Sequence, residues 1–143
     1  MNLLTRSLIS LTALASLATV GNAQITRIAG TGCSGASYPT PTPATAMIGT
    51  TVTFQGRLCA GRMPGFFILG LTPVMATINP PLTCSSCVLG TTPDIYLQSA
   101  FVSVPIPIPN SRSLIGFCFY VQTGCVNVRQ CLELDGALKV CIQ

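Results

Sequence analysis

The sequence predicts an all-β domain, a small antiparallel β-sandwich or partly open barrel of about seven to nine short strands that disulfides stabilise. Short runs of alternating apolar and polar residues are separated by turns rich in glycine, proline and serine, which is typical of strands. No segment after Ala23 shows a helical period. All eight cysteines also lie after that residue, as expected for a disulfide-bonded exported chain.

Residues 1–23 have the features of a cleaved export signal. Arg6 supplies a positive charge, residues 7–20 form a short apolar run, and small residues lead to Ala23. A membrane anchor is the alternative, but a spanning helix needs about 20 apolar residues. We therefore expect a secreted or extracytoplasmic protein, in the periplasm or at the cell surface, with no membrane span after signal removal. Residues 24–143 are long enough for one domain with one core.

The charge of the mature chain is small and spread out. Without Arg6, six basic residues face three acidic ones, a formal charge of +3. Nucleic-acid-binding proteins concentrate lysine and arginine along one face, whereas the basic residues here stand singly. We therefore expect no nucleic-acid partner. The six positions are Arg27, Arg57, Arg62, Arg112, Arg129 and Lys139.

An even number of cysteines in an exported chain indicates a disulfide framework, and eight allow on the order of a hundred pairings. Cys84 and Cys87 also have the CxxC spacing of a redox pair or half of a zinc site. Prolines precede this motif and Val88 follows it, which indicates loop and strand, whereas a redox pair needs a helix N-terminus. The chain contains no histidine and no second close cysteine pair, so we expect structural bridges, no metal and no cofactor.

Residues 30–46 are predicted to form an extended strap rich in glycine and proline. The G-x-G start at Gly30 lacks the strand-then-helix context of a phosphate loop, so we expect a tight loop tethered by Cys33. Residues 38–43 read YPTPTP, which favours polyproline-like backbone. The strap would lie across the domain, with partner docking or glycosylation as the alternative.

Strand signals follow from residue 50. Residues 50–58 alternate polar and apolar side chains, and residues 66–71 are apolar enough for a buried central strand. Residues 77–82 and 87–89 are shorter extended pieces. With two predicted hairpins, these pieces make up the expected total of about seven to nine short strands.

The first predicted hairpin, residues 101–122, has its turn at residues 110–112. Prolines at 105, 107 and 109 remove N–H donors from one side of the first arm, which predicts a protected edge strand. The second arm, residues 114–122, then becomes the central strand. The second hairpin would turn at Asp135 and Gly136, a pair that suits a two-residue turn.

Several motifs together resemble a family of exported bacterial all-β domains without an assigned activity. The matching runs are GTGC at 30–33, IGTTVT at 48–53, CVL at 87–89 and IPNSRSLIGFCFYVQ at 108–122. The resemblance covers nearly the whole mature chain and implies a bridge between Cys33 and Cys87. The six additional cysteines and the Asp135 turn depart from the family pattern.

For the additional cysteines we expect three bridges. Cys125 is close enough in sequence to Cys131 to close a small loop, and Cys118 and Cys141 lie on neighbouring final strands. Elimination then pairs Cys59 with Cys84.

Catalysis is disfavoured by the residues that are missing. Without histidine the chain lacks the commonest general base and metal ligand. Glu133 and Asp135 could share a strand face, as two-carboxylate glycoside hydrolysis would need, but a turn explains Asp135 and a solvated face explains Glu133. We expect no enzyme and no catalytic residues.

The remaining expectation is a secreted structural or interaction module, with an extracellular ligand- or carbohydrate-binding module as the alternative. Sugar-binding surfaces usually present aromatic rings; this chain has no tryptophan, and its tyrosines are Tyr38, Tyr96 and Tyr120. The partner is unknown, with a cell-surface protein or a glycan as the candidates.

Overall fold

The computed structural model describes residues 24–33, 35–56, 65–99 and 103–143. The predicted signal peptide and Cys59 lie outside these ranges. Within these ranges twelve strands form three antiparallel sheets, so the predicted all-β, disulfide-stabilised fold is confirmed. Eight of the strands are four residues or longer, which agrees with the predicted number; the others are two- and three-residue pieces that carry too little pattern to be found from sequence.

Sheet A, the largest sheet, has the order β1-β12-β10-β5-β8, and β11 pairs with β10 beside β12. Its strands are β1 (Ile25–Arg27), β5 (Gly65–Gly70), β8 (Ile95–Ser99), β10 (Cys118–Val126), β11 (Leu132–Leu134) and β12 (Leu138–Cys141).

Two three-stranded sheets complete the fold. Sheet B has the order β2-β7-β6, and sheet C has the order β3-β4-β9. Their strands are β2 (Gly32–Cys33), β6 (Pro73–Ile78), β7 (Cys87–Thr91), β3 (Thr40–Thr42), β4 (Thr51–Gln55) and β9 (Ser103–Pro107).

Strand β5 is buried on both faces, which explains its nearly continuous apolar sequence. Side chains alternate across a strand, so Phe67 enters the core between sheets A and C. Phe66 and Ile68 point the other way and pack with Cys87 of sheet B. Sheet A is therefore the middle layer, and the predicted buried central strand is confirmed.

The main core lies between sheets A and C. Phe54 of β4 and Phe119 of β10 meet edge to face, with ring centroids 6.5 Å apart, and Val52 and Val140 are fully buried beside them. Burial of each such side chain contributes about 1.5–3 kcal/mol. The alternation in residues 50–58 predicted this buried face of β4 correctly.

The predicted hairpin over residues 101–122 is wrong. Strand β9 pairs with β4 in sheet C, whereas β10 lies in sheet A. Between them, Arg112–Leu114 form a turn of 3-10 helix that carries the chain from one sheet to the other. Two other expectations are confirmed: β9, with its alternating prolines, is an edge strand, and β10 is central, although it begins at Cys118.

The predicted hairpin at Asp135 and Gly136 is also wrong. Strands β11 and β12 both pair antiparallel with β10, β11 along Gly124–Val126 and β12 along Cys118–Val121. They are two consecutive pieces along the same side of β10. Asp135 and Gly136 form the break between them; Asp135 is buried rather than in an exposed turn.

The predicted strap contributes to two sheets. Thr40–Thr42 form edge strand β3 against β4, and Gly32 and Cys33 pair with β7. Tyr38 packs against Gly136 so closely that a Cβ there would overlap its ring. The Arg27 guanidinium lies 5.1 Å from the centroid of the same ring, a cation–π distance. The strap thus holds the β11–β12 break.

Three disulfide bridges lie within the described residues: Cys33–Cys87, Cys84–Cys131 and Cys118–Cys141. The first is the pair that the family resemblance implied, and the third joins register partners on β10 and β12, as expected for neighbouring strands.

The expected pairs Cys125–Cys131 and Cys59–Cys84 are wrong, because Cys84 is bonded to Cys131. The loop before Cys84 runs alongside β11: the Cys84 N–H donates to the Leu132 carbonyl oxygen at 3.0 Å, and the Leu132 N–H donates to the Leu82 carbonyl oxygen at 2.9 Å. This pairing places Cys84 beside Cys131. Cys125 is buried on β10 opposite Glu133 and is also disulfide-bonded.

Candidate binding surfaces

The most exposed apolar strand of sheet A is its edge strand, β8. Ile95, Tyr96 and Leu97 are all exposed, with Tyr96 at 58%. The strand pairs with β5 on one side only, and Ile95–Ser99 contain no charged residue or proline. Charges and prolines normally protect sheet edges from pairing with other chains, and β9 of sheet C is protected in this way. No strand of the described ranges pairs with the outer edge of β8, which is open in this sense.

The two faces of β8 differ. Tyr96 lies opposite Ile68 of β5, on the side of sheet B, and stacks on Phe66 with ring centroids 5.4 Å apart and planes inclined by 29°. Tyr120 of β10 belongs to the same face, opposite Gly70, and is half-buried. Tyr96 and Tyr120 therefore share one sheet face, separated by β5. Tyr38 holds the β11–β12 break instead.

On the other face of β8, the sandwich contains an open cavity of about 320 Å³. It lies between sheets A and C and continues the main core, of which Phe119 is part and against which Leu69 and Ile106 pack. Its wall presents no polar surface. The apolar residues around it are Leu69, Leu71, Ile95, Ile106, Phe117 and Phe119.

Asp94 stands at the rim of this cavity and is exposed. Its Oδ2 accepts hydrogen bonds from the Leu71 N–H at 2.7 Å and from Thr92 Oγ1 at 2.8 Å. The Leu71 hydrogen bond first, and the Thr92 hydrogen bond second, hold the pKa of Asp94 below its ordinary value of 3.8, against a smaller opposing effect of burial. The rim of the cavity is therefore negatively charged at neutral pH.

The other two carboxylates serve the structure. Asp135 is buried and accepts hydrogen bonds from Thr123 Oγ1 at 2.7 Å and Ser37 Oγ at 3.0 Å. Glu133 Oε1 accepts from Asn127 Nδ2 at 3.2 Å. The expectation that a turn accounts for Asp135 is wrong, because this residue belongs to a buried polar cluster. Each of the three carboxylates of the chain thus has hydrogen-bonding partners within the fold.

Gln122 is the centre of that polar cluster. It is fully buried on β10; its Oε1 accepts from the Gly90 N–H at 2.8 Å, and its Nε2 donates to the carbonyl oxygens of Val88 at 3.1 Å and Asp135 at 2.8 Å. One side chain therefore connects sheet A, sheet B and the β11–β12 break. The sequence did not predict this role of Gln122, since a glutamine near the end of a strand is usually exposed.

The two motifs with possible chemistry are structural. Cys84 and Cys87 belong to different bridges, so they do not form a redox pair with each other. After Gly30, Thr31 is buried; its Oγ1 donates to the Ile28 carbonyl and accepts from the Ala137 N–H, each at 2.7 Å. In the described part of the chain, no group of three or more cysteine, aspartate or glutamate side chains is placed to hold a metal ion.

A search of the described ranges finds no helix with the length and apolar character needed to cross a membrane. Comparisons of the chain with protein-family models, curated proteins and solved structures returned no match.

Proposed function

We propose that this protein is an exported structural or interaction module without enzymatic activity, and that it binds an extended segment of a partner protein along β8. The open edge of β8 is the observation that carries this proposal. Its outward backbone groups can accept a further strand, and its exposed apolar side chains can contact that strand on both faces.

The covalent framework supports an extracytoplasmic location. Disulfides persist in oxidising compartments, and three bridges join distant parts of the described chain. The predicted signal at residues 1–23 belongs to the same proposal, as does membership of the bacterial family that the motifs resemble. N-terminal sequencing of the exported protein should give Gln24 as its first residue.

Two arguments support a role without catalysis. The chain has no histidine, and Asp94, Glu133 and Asp135 are each engaged in hydrogen bonds that stabilise local structure. A disulfide-stabilised scaffold with an open strand edge at β8 suits a protein that binds a partner.

Photo-crosslinking from β8 tests the proposal. A benzoylphenylalanine at position 97 of the exported protein should give one defined protein adduct, and the adduct should be lost when Tyr96→Lys adds a charge to the edge. Position 82 is the matched control, since Leu82 is exposed at 59% but lies in a loop. An adduct of equal yield from position 82, or no adduct from position 97, would overturn the β8 interface.

A carbohydrate-binding module is the second candidate, because the exposed Tyr96 ring rests on Phe66 and shares its sheet face with Tyr120. Aromatic faces are the usual platforms for sugar rings. A glycan array with the oxidised protein discriminates the two functions. Saturable binding that Tyr96→Ala or Tyr120→Ala abolishes would replace the structural role with the glycan-binding one.

A further inference from the structure

The cavity between sheets A and C is an unusual feature for so small a domain. It is a cleft that opens to solvent, and it measures about 320 Å³. Its wall presents no polar surface to hold ordered water, so the hydrophobic effect favours an apolar molecule that displaces solvent from it. The space is therefore suited to hydrocarbon.

The cavity is open to the outside as well as lined by core residues. Leu69, Ile106 and Phe119 form its inner wall as part of or against the main core. Ile95, at 53% exposure, and Phe117, at 44%, stand at its mouth. A ligand can enter without opening the fold, because the mouth lies between the edge strand β8 and the start of β10.

We propose that this cavity binds the hydrocarbon chain of a small amphiphile whose head group is neutral or cationic. At roughly 30 Å³ for each water-sized group, the space holds on the order of ten methylene groups. Each methylene that leaves water adds to the driving force, so a chain of that length supplies enough for measurable binding. A sugar would find no hydrogen-bonding partner on the wall.

The rim selects the charge of the head group. Asp94 is held in place by the Leu71 N–H and Thr92 Oγ1 and carries a negative charge at neutral pH. Among the described residues that surround the cavity there is no lysine or arginine. A carboxylate or phosphate head group beside Asp94 would be repelled, whereas an alcohol would be tolerated and an ammonium attracted.

Three probes with the same ten-carbon chain test the inference: decan-1-ol, decylamine and decanoate, each below its micelle concentration. Titration calorimetry on the oxidised protein should show saturable one-to-one binding of the first two. Decanoate should bind at least about fivefold more weakly than decylamine, since a unit charge a few ångströms away is worth that factor in water. No saturable binding of decan-1-ol, or equal affinity for decylamine and decanoate, would overturn the proposal.

Variants distinguish binding in the cavity from binding elsewhere on the surface. Ile95→Lys places a charge at the mouth and should weaken decylamine binding at least about tenfold. Leu82→Lys changes an equally exposed leucine elsewhere and should leave binding unchanged. Asp94→Asn keeps an acceptor oxygen but removes the charge, so decylamine and decanoate should then bind alike. Equal losses in Ile95→Lys and Leu82→Lys would contradict a specific cavity.

This inference does not rest on the proposed partner interface. Leu97 contributes to the edge of β8 but does not surround the cavity, so Leu97→Lys should disturb partner binding and leave decylamine binding intact. Loss of both in Leu97→Lys would show that the alkyl chain binds along the edge and would refute the cavity site.

Methyl NMR of the unaltered protein gives a readout that needs no variant. Decan-1-ol should shift the methyl signals of Leu69, Ile95 and Ile106, and those of Leu82 and Val128, which are exposed elsewhere, should stay in place. Shifts spread over all five residues would contradict the site. A dimer in sedimentation that Ile95→Lys dissociates, with no probe binding, would assign the cavity mouth to a second copy and overturn the proposal.

Discussion

Gln122 Nε2 donates a 2.8 Å hydrogen bond to the backbone carbonyl oxygen of Asp135, so a side chain of the central strand holds the break between the last two strands. The same glutamine bonds the Gly90 N–H and the Val88 carbonyl of sheet B. Both contacts lie on the face of sheet A that the disulfide Cys33–Cys87 also approaches through β7. Polar and covalent links therefore act together where sheets A and B meet.

Gln122→Leu should lower the free energy of unfolding by about 3 kcal/mol or more, because it leaves buried backbone groups of three segments without a partner, at about 1–3 kcal/mol each. Gln55→Leu is the control, since Gln55 is exposed on β4 and such changes usually stay within about 0.5 kcal/mol. Urea denaturation under non-reducing conditions measures both. Equal losses in the two variants would refute the central role of Gln122.

Gly136→Ala should cost about 1–3 kcal/mol, because the new Cβ would overlap the Tyr38 ring and force it to move. In a Tyr38→Ala background the same substitution should cost much less, since the obstructing ring is gone. A double-mutant cycle in chemical denaturation measures the coupling between the two residues. Simple additivity would show that Gly136 is needed for another reason.

Asp94 should make folding stability depend on pH in acid. Its pKa is lowered in the folded protein from 3.8, first by the Leu71 N–H and then by Thr92. The stabilisation is therefore fully present above about 3.8 and disappears as the pH falls through the lower folded-state pKa. The difference in melting temperature between the unaltered protein and Asp94→Asn should shrink over that range.

Thr92→Val provides the matched variant for Asp94. It removes one hydrogen bond to the carboxylate and leaves the Leu71 N–H in place, so the pKa of Asp94 should rise toward 3.8 without reaching it. Carboxyl NMR titration measures this directly. An unchanged pKa would mean that Thr92 does not stabilise the carboxylate.

Non-reducing peptide mapping should recover the bridges Cys33–Cys87, Cys84–Cys131 and Cys118–Cys141. These use six of the eight cysteines, and Cys125 is disulfide-bonded as well. Mapping should therefore link Cys125 to Cys59, the remaining cysteine. A peptide that joins Cys125 to Cys131 would contradict the fold around β11.

Removing a bridge should also lower stability by about 2–4 kcal/mol. Cys33→Ser with Cys87→Ser should cost more than Cys118→Ser with Cys141→Ser, because the chain between the first pair is longer, 54 residues against 23. Denaturation of the two double variants measures the order. The reverse order would show that strain or unfolded-state structure outweighs loop length.

Local pattern was sufficient to predict several elements. The apolar run that became β5, the alternation that became β4 and the prolines that mark β9 as an edge all depend on residues adjacent in sequence. The predictions that failed were those of which strands pair with each other. Asp135 and Gly136 match the sequence pattern of a two-residue hairpin turn. The glycine is needed for a different reason, because Tyr38, nearly a hundred positions earlier, packs against it.

The candidate binding surfaces were likewise predictable only where the signal lies in residues adjacent in sequence. Tyr96 is one of the three tyrosines that the sequence shows as aromatic residues for a sugar-binding surface. The cavity was not predicted, because residues 114–122 were predicted as one strand, whereas β10 begins at Cys118 and leaves the ring of Phe117 at the mouth. Ile95 and Ile106 come from different sheets, and no sequence spacing relates them.

The pairing of β1 with β12 sets the order in which this protein can be assembled. Residues 25–27 pair with residues 138–140, so β1 has no partner in sheet A until this late segment has been synthesised. Long-range pairing of this kind folds slowly. A growing chain therefore remains incompletely folded until that late segment is available, and its unpaired strands stay exposed until then.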